Sequence, residues 1–385
     1  MNFSGHKKPG LAEQRAVRSM FFLGGFASAS WAPLVPYLKA RLSVGEDVLG
    51  MLLLCVGIGS LLTMPLSGLA AEKFGCRKVL TCASITMAGI LLGLATMDTM
   101  ALSVILLLAY GAMLGCLDVV MNISAVIVEQ AAGKRIMSGL HGFWSVGGFV
   151  GAGAFGLWVS RLGLSPLAST VIASFVCCAI IAIANRWLLP YGGGGGSRLI
   201  AIPRGIVTFI GIIAGIAFLM EGAIMDWGGV FLTSVRNLDM SRAGTGFAIF
   251  SAAMLIMRLT GDRITNRLGA KRVVIGGSLL AFLGFLALIY LPGLLPVYAG
   301  FFAIGVGCAN VVPVFYSLIG RQDDMPISTA VPAVSTLGYA GVLMGPAAVG
   351  FLAHATSLSA SFLFLAALLL IQIAIALHVY RTIKI

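Results

Sequence analysis

Residues 101–128 read ALSVILLLAYGAMLGCLDVVMNISAVIV, a stretch of 28 residues with one carboxylate, Asp118, and no base. A helix rises about 1.5 Å per residue and a hydrocarbon core takes about 20 apolar residues to cross, so this stretch spans a bilayer with a turn or two to spare. Eleven more runs share its character, at 17–38, 48–71, 79–97, 141–160, 167–189, 205–234, 243–264, 273–290, 295–319, 331–353 and 358–380. The whole 385-residue chain follows suit. It is 59% hydrophobic and 10% charged, with a mean hydropathy of +1.04, against the roughly 25% charged residues of a soluble domain. Lipid gives unpaired backbone groups no partner, so only helices or closed barrels cross it, and these runs are too long and too continuously apolar for barrel strands. The expected fold class is all-α integral membrane, with twelve transmembrane helices and no room for a soluble domain. The first run follows a basic leader but is too long for a signal-peptide core, contains Pro33 and Pro36, and is succeeded by further spans, so it reads as retained.

A net charge of +12 raises the question of nucleic acid, and the positions of the bases answer it. With both termini inside, inside segments hold nineteen of the 25 bases, among them Lys7, Lys73, Arg77, Lys78, Arg198, Arg267, Lys271, Arg272 and Lys384. Outside segments hold five, Lys39, Arg41, Arg161, Arg236 and Arg242, and Arg258 lies within a span. That asymmetry is the positive-inside rule. It predicts cytoplasmic termini in a cell inner membrane and no nucleic-acid partner. Of seven cysteines, six fall in spans and Cys76 in an inside loop, so no outside pair forms a disulfide. His6, His141, His354 and His378 are scattered, and no metal or cofactor is predicted.

An internal repeat divides the chain. Gly115-Cys116-Leu117-Asp118-Val119-Val120 in the fourth run matches Gly307-Cys308-Ala309-Asn310-Val311-Val312 in the tenth. At nearly the same offset, Lys73-Phe74-Gly75-Cys76-Arg77-Lys78-Val79 matches Arg267-Leu268-Gly269-Ala270-Lys271-Arg272-Val273, and Ser30-Trp31 pairs with Asp226-Trp227. The expected domains are a six-helix bundle over 1–190, a linker over 191–203 and a second bundle over 204–385. The linker holds a Gly-Gly-Gly-Gly-Gly-Ser run of the kind used as an engineered spacer, and it is set aside from functional reasoning. Internally repeated bundles place substrate near the bilayer midplane and rock around it, so the repeat argues for transport.

Gly68-Leu69-Ala70-Ala71-Glu72-Lys73-Phe74-Gly75-Cys76-Arg77-Lys78 resembles the signature loop of the major facilitator superfamily, Gly-x-x-x-Asp-Arg-x-Gly-x-Arg-Arg, with Glu for Asp and Lys for Arg. The resemblance implies a latching charge network. Gly68 and Gly75 allow close helix approach and a tight turn, and Glu72 can reach Lys73, Arg77 or a neighbouring helix end. The second copy, Asp262 to Arg272 with Arg267 and Lys271, puts Asn266 at the acidic position and Asp262 at the leading glycine. Arg258 and Asp262 share a helix face and could form a compensating pair. The competing reading is that both loops merely supply topological charge.

Ionisable groups deep in spans are costly and mark function by default. Asp118, with Asn122 one turn on, and Glu221 and Asp226 in the seventh run are the candidates. A carboxylate in a low-dielectric cavity holds its proton more tightly than one in water, which is the chemistry of proton coupling. Against this stands a structural role, in which Asp118 simply bonds Asn310 or backbone. Trp31 and Trp227 offer flat faces to a ring-shaped solute, or else anchor the membrane interface. Asn122, Asn310, Tyr339, His141 and Trp144 are further polar or stacking candidates, with a capping or loop-docking role competing for His141. Gly151-Ala152-Gly153-Ala154-Phe155-Gly156 fits a dinucleotide-binding pattern, but no strand precedes it. Gly147 and Gly151 instead predict close helix packing, and Pro33, Pro36, Pro313 and Pro346 predict kinks.

Within the superfamily, His141-Gly142-Phe143-Trp144-Ser145, Glu221 to Trp227, and Gly338-Tyr339 followed by Gly345-Pro346 are similar to a bacterial subgroup of uncharacterised transporters and rhizopine-uptake proteins. Fucose-proton symporters resemble it more distantly. Their fourth-helix carboxylate corresponds to Asp118, while the carboxylate of their first helix has no counterpart here. The arginine typical of the fourth helix in drug-proton antiporters is also absent. The expectation is a monomeric, proton-coupled transporter of a small sugar-like or cyclitol-like solute, using Asp118 with Glu221 and Asp226. The competing classes are a proton antiporter exporting sugars or amphipathic drugs, a non-transporting membrane sensor, and an intramembrane enzyme built on His141.

Overall fold

The computed structural model describes residues 8–44, 46–193, 202–238 and 244–383. Residues 194–198 of the glycine-rich linker, together with Lys7, Arg242 and Lys384, lie outside them. Every regular element among the described residues is helical. In chain order these are α1 (Leu11–Trp31), α2 (Val35–Leu42), α3 (Glu46–Phe74), α4 (Cys76–Thr96), α5 (Met100–Ala132), α6 (Met137–Ser160) and α7 (Pro166–Ala184) in the first half. The second half has α8 (Ile206–Val230), α9 (Thr245–Leu268), α10 (Ala270–Tyr290), α11 (Leu294–Cys308), α12 (Val311–Ile319), α13 (Ile327–Ala355) and α14 (Leu358–Thr382).

These helices match the twelve expected spans, two of which are interrupted. α1 passes into α2 through a tight turn at Ala32–Leu34 that contains Pro33, and the tenth span is split between α11 and α12. At the end of the seventh span, α8 widens into a π turn at Phe231–Val235. Past Pro346, α13 continues as one helix. Eleven of the described segments are long and apolar enough to cross a membrane. The exception is α9, because Arg258, Asp262, Arg263 and Arg267 occupy its second half. Cys76, read as a loop residue, instead opens α4.

The chain packs as two units. Unit 1 comprises residues 1–134, 140–202 and 326–333, and unit 2 comprises 135–139, 203–325 and 334–385. Each unit thus takes in one short stretch from the other half of the sequence, a detail that the repeat does not announce.

Inside each unit, glycines set how closely helices approach. A methyl added at Gly25 of α1 would overlap the Trp144 carbonyl of α6, and one at Gly147 or Gly151 of α6 would overlap the carbonyls of Phe22 or Phe26. The Gly147/Gly151 spacing therefore does make a close-packed seam. In unit 2 the related seam joins α8 and α13, where Gly341 lies against the Gly215 carbonyl. The core of unit 2 is aromatic, with Phe231 stacked on Phe362 at 4.5 Å and Phe285 edge-on to the same ring at 5.7 Å.

The fold also holds a repeat-related pair that the sequence comparison overlooked. Arg41, just past the first span's proline turn, donates to the carbonyls of Leu94 and Ala95 at the end of α4. Arg236, at the end of the seventh span, donates to the Leu288 and Leu291 carbonyls at the end of α10. A helix leaves its last carbonyls without intrahelical partners and carries partial negative charge there, so each arginine caps the third span of its own half.

Candidate functional site

The fourth span of the first half, α5, is unbroken and carries its polar groups one turn apart. The Asn122 side-chain amide on α5 donates to the Asp118 carbonyl at 2.8 Å and to the Asp118 carboxylate at 3.3 Å. Asp118 is half-buried, whereas Asn122 is wholly buried. The Asn122 Oδ1 atom has no hydrogen-bond partner among the described residues. Gly115 and Gly111, one and two turns before Asp118, press on Ser60 and Val56 of α3. This seats the polar stretch on a rigid, closely packed helix pair.

The equivalent stretch in the second half is built differently. Proline has no N–H, so Pro313 cannot donate to the carbonyl four residues earlier, that of Ala309. The helix breaks there, with Asn310 at φ −104° and ψ 1° between α11 and α12. Arg258 of α9 takes up the freed carbonyl, its Nε donating to the Ala309 oxygen at 3.4 Å. The Nη2 atom of the same guanidinium pairs with Glu221 Oε2 of α8 at 3.2 Å. Arg258 is almost wholly buried, with 9% of its side chain exposed, while 36% of the Glu221 side chain is exposed. Asn310 completes the cluster by donating to the Met257 carbonyl at 3.2 Å, with its own Oδ1 buried and unpartnered among the described residues. Gly261 makes room for that carboxamide, since any side chain there would overlap it.

The structure therefore joins Asp118 with Asn122 in unit 1, and Glu221 with Arg258 in unit 2, Asn310 lying beside them. Asp226 is not part of the second cluster and is exposed on α8. Trp31 is buried in unit 1, with its ring 5.9 Å from that of Tyr110, whose hydroxyl donates to the Ala27 carbonyl. Trp144 lies over Gly24 of α1, and His141 meets Phe21 edge-on at 5.2 Å, so both line the α1–α6 seam. Trp227 packs over Gly350 of α13, and Tyr339 is half-buried on that helix.

The two signature loops use their charges on helix ends. In unit 1, Gly68 lies against the Ser328 carbonyl and Pro332 in the first turns of α13, and Glu72 accepts from the Ser328 hydroxyl at 3.4 Å. Gly75 takes a left-handed φ of 81°, packed on the Pro190 carbonyl. Arg77 donates to the carbonyls of Arg186 and Leu188, each at 2.9 Å, just beyond the end of α7. Lys73 lies over the Phe74 ring, and Lys78 is exposed. Burial against this loop pushes the Tyr191 phenol above its ordinary value. In unit 2 the Asp262 carboxylate accepts the backbone N–H groups of Ser138 at 3.0 Å and Gly139 at 2.8 Å, in the first turn of α6. An anion suits that position because the first N–H groups of a helix have no other partner. Asn266, Arg267, Lys271 and Arg272 are exposed. The acid of the second copy thus acts one turn earlier than that of the first.

Two packed units of this kind, each with a buried polar group on its fourth span, define a polytopic helical transporter. The sequence profile of the Major Facilitator Superfamily matches residues 19–322, and the chain belongs to that family. An uncharacterised MFS-type transporter of Yersinia pestis is 45% identical, over 97% of both chains. The membrane protein MosC of Rhizobium meliloti is 30% identical, over 91% of this chain and 86% of its own length. Among solved structures, the outward conformation of the fucose transporter FucP superposes with a TM-score of 0.77 at 15% identity, covering 95% of this chain and 98% of that one. The human organic anion transporter MFSD10 superposes at 0.74 and 15% identity, covering 94% and 99%.

Proposed function

We propose that this transporter is proton-coupled and carries a small polar, sugar-like or cyclitol-like solute by alternating access, in the import direction. Asp118 is the principal proton site, with Glu221 and Asp226 assisting. The observation that carries the reading is the pair on α5, a half-buried carboxylate beside a wholly buried amide whose Oδ1 lacks a partner among the described residues. Buried polar atoms are nearly always satisfied, so that amide suits a site visited by water or by hydroxyl groups of a solute. The fucose structure is described as a proton symporter, which supports the same chemistry on this fold. The protein acts as a monomer in the cell inner membrane with both termini cytoplasmic, and the chemistry divides between an N-terminal and a C-terminal bundle.

Asp118→Asn keeps the hydrogen bond from Asn122 but cannot ionise. In proteoliposomes it is expected to abolish proton-driven uptake while leaving substrate exchange or binding measurable. Uptake that kept its rate and its pH dependence would remove Asp118 from the mechanism.

A further inference from the structure

We propose that the recess between α1, α6 and α7 binds an anionic phospholipid, whose phosphate is held by Arg15 and Arg18 and whose acyl chains lie along Phe22, Phe143 and Ile180. The proposal is independent of the solute and of proton coupling.

Arg15, Arg18, Ser19 and Phe22 recur at helical spacing and so share one face of α1. With Phe143 of α6 and Ile180 of α7 they line a recess of about 290 Å³. That is close to the size at which pockets begin to hold small ligands, about 300 Å³. All six residues belong to unit 1. α1 opens the first membrane-spanning segment at Leu11. Counted from that end, Arg15 comes first and Phe22 follows about 10 Å deeper along the helix axis. A lipid presents its phosphate and its chains in the same order.

The charge in the recess lacks a counter-ion. Arg18 lays its guanidinium over the Phe143 ring, 5.1 Å from the centroid, and its buried Nε has no hydrogen-bond partner among the described residues. A ring face attracts a cation but accepts no charge-assisted hydrogen bond from it. The one acid of α1, Glu13, accepts from the Gly10 N–H at 2.7 Å and lines a separate recess with Arg77 and Tyr191. Two arginines, both protonated, therefore line one recess with no carboxylate in its wall. A phosphate removes their mutual repulsion, and its oxygens match the planar forks of both guanidinium groups.

Helix packing does not require these two bases. The repeat register that pairs Ser30-Trp31 with Asp226-Trp227 puts Gly211 and Ala214 of α8 opposite Arg15 and Arg18, and Tyr339 opposite Phe143. The second half thus builds the same helices with no base at either position. A base that only orients the chain works from a loop, whereas these two are set in a helix face beside an aromatic ring. Beyond the recess the walls stay apolar and exposed, at Val150 two turns from Phe143 and at Ile183 one turn from Ile180. Acyl chains cover such surface.

The test uses purified full-length protein in neutral detergent and reads binding by native mass spectrometry. The probes are phosphatidylglycerol, phosphatidylcholine with the same chains, inorganic phosphate and glycerol 3-phosphate. The wild type is expected to bind phosphatidylglycerol at least about tenfold more tightly than phosphatidylcholine, the order that two bases at one anionic headgroup provide. The two soluble phosphates are expected to bind far more weakly than the lipid. Arg15→Gln combined with Arg18→Gln should bring phosphatidylglycerol down to the level of phosphatidylcholine. Arg15→Gln alone, at an exposed position that tolerates substitution, should lose at least about threefold, so the proposal remains testable should the double variant fail to fold. Arg267→Gln combined with Lys271→Gln removes the same charge from exposed positions of unit 2 and should leave the preference intact. Equal loss in the two double variants would mean diffuse attraction and no site. A wild type without preference, an Arg15→Gln variant that keeps the full preference, or a soluble phosphate bound as tightly as the lipid would each overturn the proposal.

Discussion

The fourth span of each half began from one repeated sequence, Gly-Cys-x-(Asp/Asn)-Val-Val, and the two have been put to different uses. In the first half, α5 runs unbroken from Met100 to Ala132, with Asp118 and Asn122 stacked one turn apart. In the second half the helix is cut at Ala309–Asn310, and a buried Arg258 spans the cut and reaches Glu221. The repeat conserves helix count, close-packed seams and end caps, but not charge. Unit 1 keeps a carboxylate bonded by an amide one turn along its own helix, whereas unit 2 keeps an ion pair that depends on three helices at once.

The largest expected effect breaks that dependence. Glu221→Leu should destabilise the protein by about 3–5 kcal/mol, because it takes the partner carboxylate from the buried Arg258 guanidinium, and Arg258→Leu by less, because the Glu221 side chain is 36% exposed. The double variant should recover most of the loss. Unit 1 supplies the contrast, since Asp118→Asn is isosteric and should cost under about 1 kcal/mol. Apparent melting temperatures of the four variants in detergent check this. Additive losses in the double variant would mean that the pair is not one energetic unit.

The next effect sharpens the comparison at the seams. A methyl added at Gly25 of α1 would overlap a backbone carbonyl that cannot yield, whereas one at Gly222 of α8 would meet the Val342 carbonyl at an ordinary 3.6 Å. Gly25→Ala should therefore cost about 1–3 kcal/mol by overpacking. Gly222→Ala should be neutral or slightly stabilising, since alanine is the better helix former. Equal losses at the two sites would show the seams to be equally tight.

How much of this was legible in the sequence depends on the range of each interaction. The spans are legible because lipid imposes a length and an apolarity on each one. The partnership of Asp118 with Asn122 is legible because four residues bring two side chains onto one helix face. The break at Asn310 is foreshadowed by Pro313, but its consequence is not, because the group that takes up the freed carbonyl lies on another helix. Arg258 and Asp262 were legible as a possible pair on one helix face, but the contacts of Arg258 with Glu221 and Ala309, and of Asp262 with the backbone of Ser138 and Gly139 more than 120 residues away in sequence, were not. A partner made of backbone N–H groups leaves no side-chain signature at all. Trp31 and Trp227 were legible as a repeat-related pair but not as to their surroundings, since Trp31 turns inward onto Tyr110 and Trp227 packs over Gly350.

A smaller effect addresses the break itself. Pro313→Ala returns an N–H that competes with Arg258 for the Ala309 carbonyl, and a helix prefers the local bond. The expected result is a gain of about 1 kcal/mol in stability, the worth of one hydrogen bond, together with slower transport, because the guanidinium loses the carbonyl that positions it. If stability rose with transport unchanged, the cut in the tenth span would be incidental to the chemistry of unit 2.

The smallest effect tests where the halves remain alike. Arg41 and Arg236 each cap the carbonyl end of the third span in their own half, and a cation at a helix C-terminus contributes about 0.3–1 kcal/mol. Arg41→Gln and Arg236→Gln should lower the melting temperature by similar small amounts, because glutamine keeps one donor and loses the charge. Each cap joins one side chain to the end of a neighbouring helix and touches no carboxylate of the polar centres, so neither change should alter the pH dependence of uptake. A large loss confined to Arg236 would extend the asymmetry of the polar centres to the helix ends. Equal small losses would confine it to the fourth spans and the helices that touch them, where Asp118 stands opposite Asn310 in the repeat.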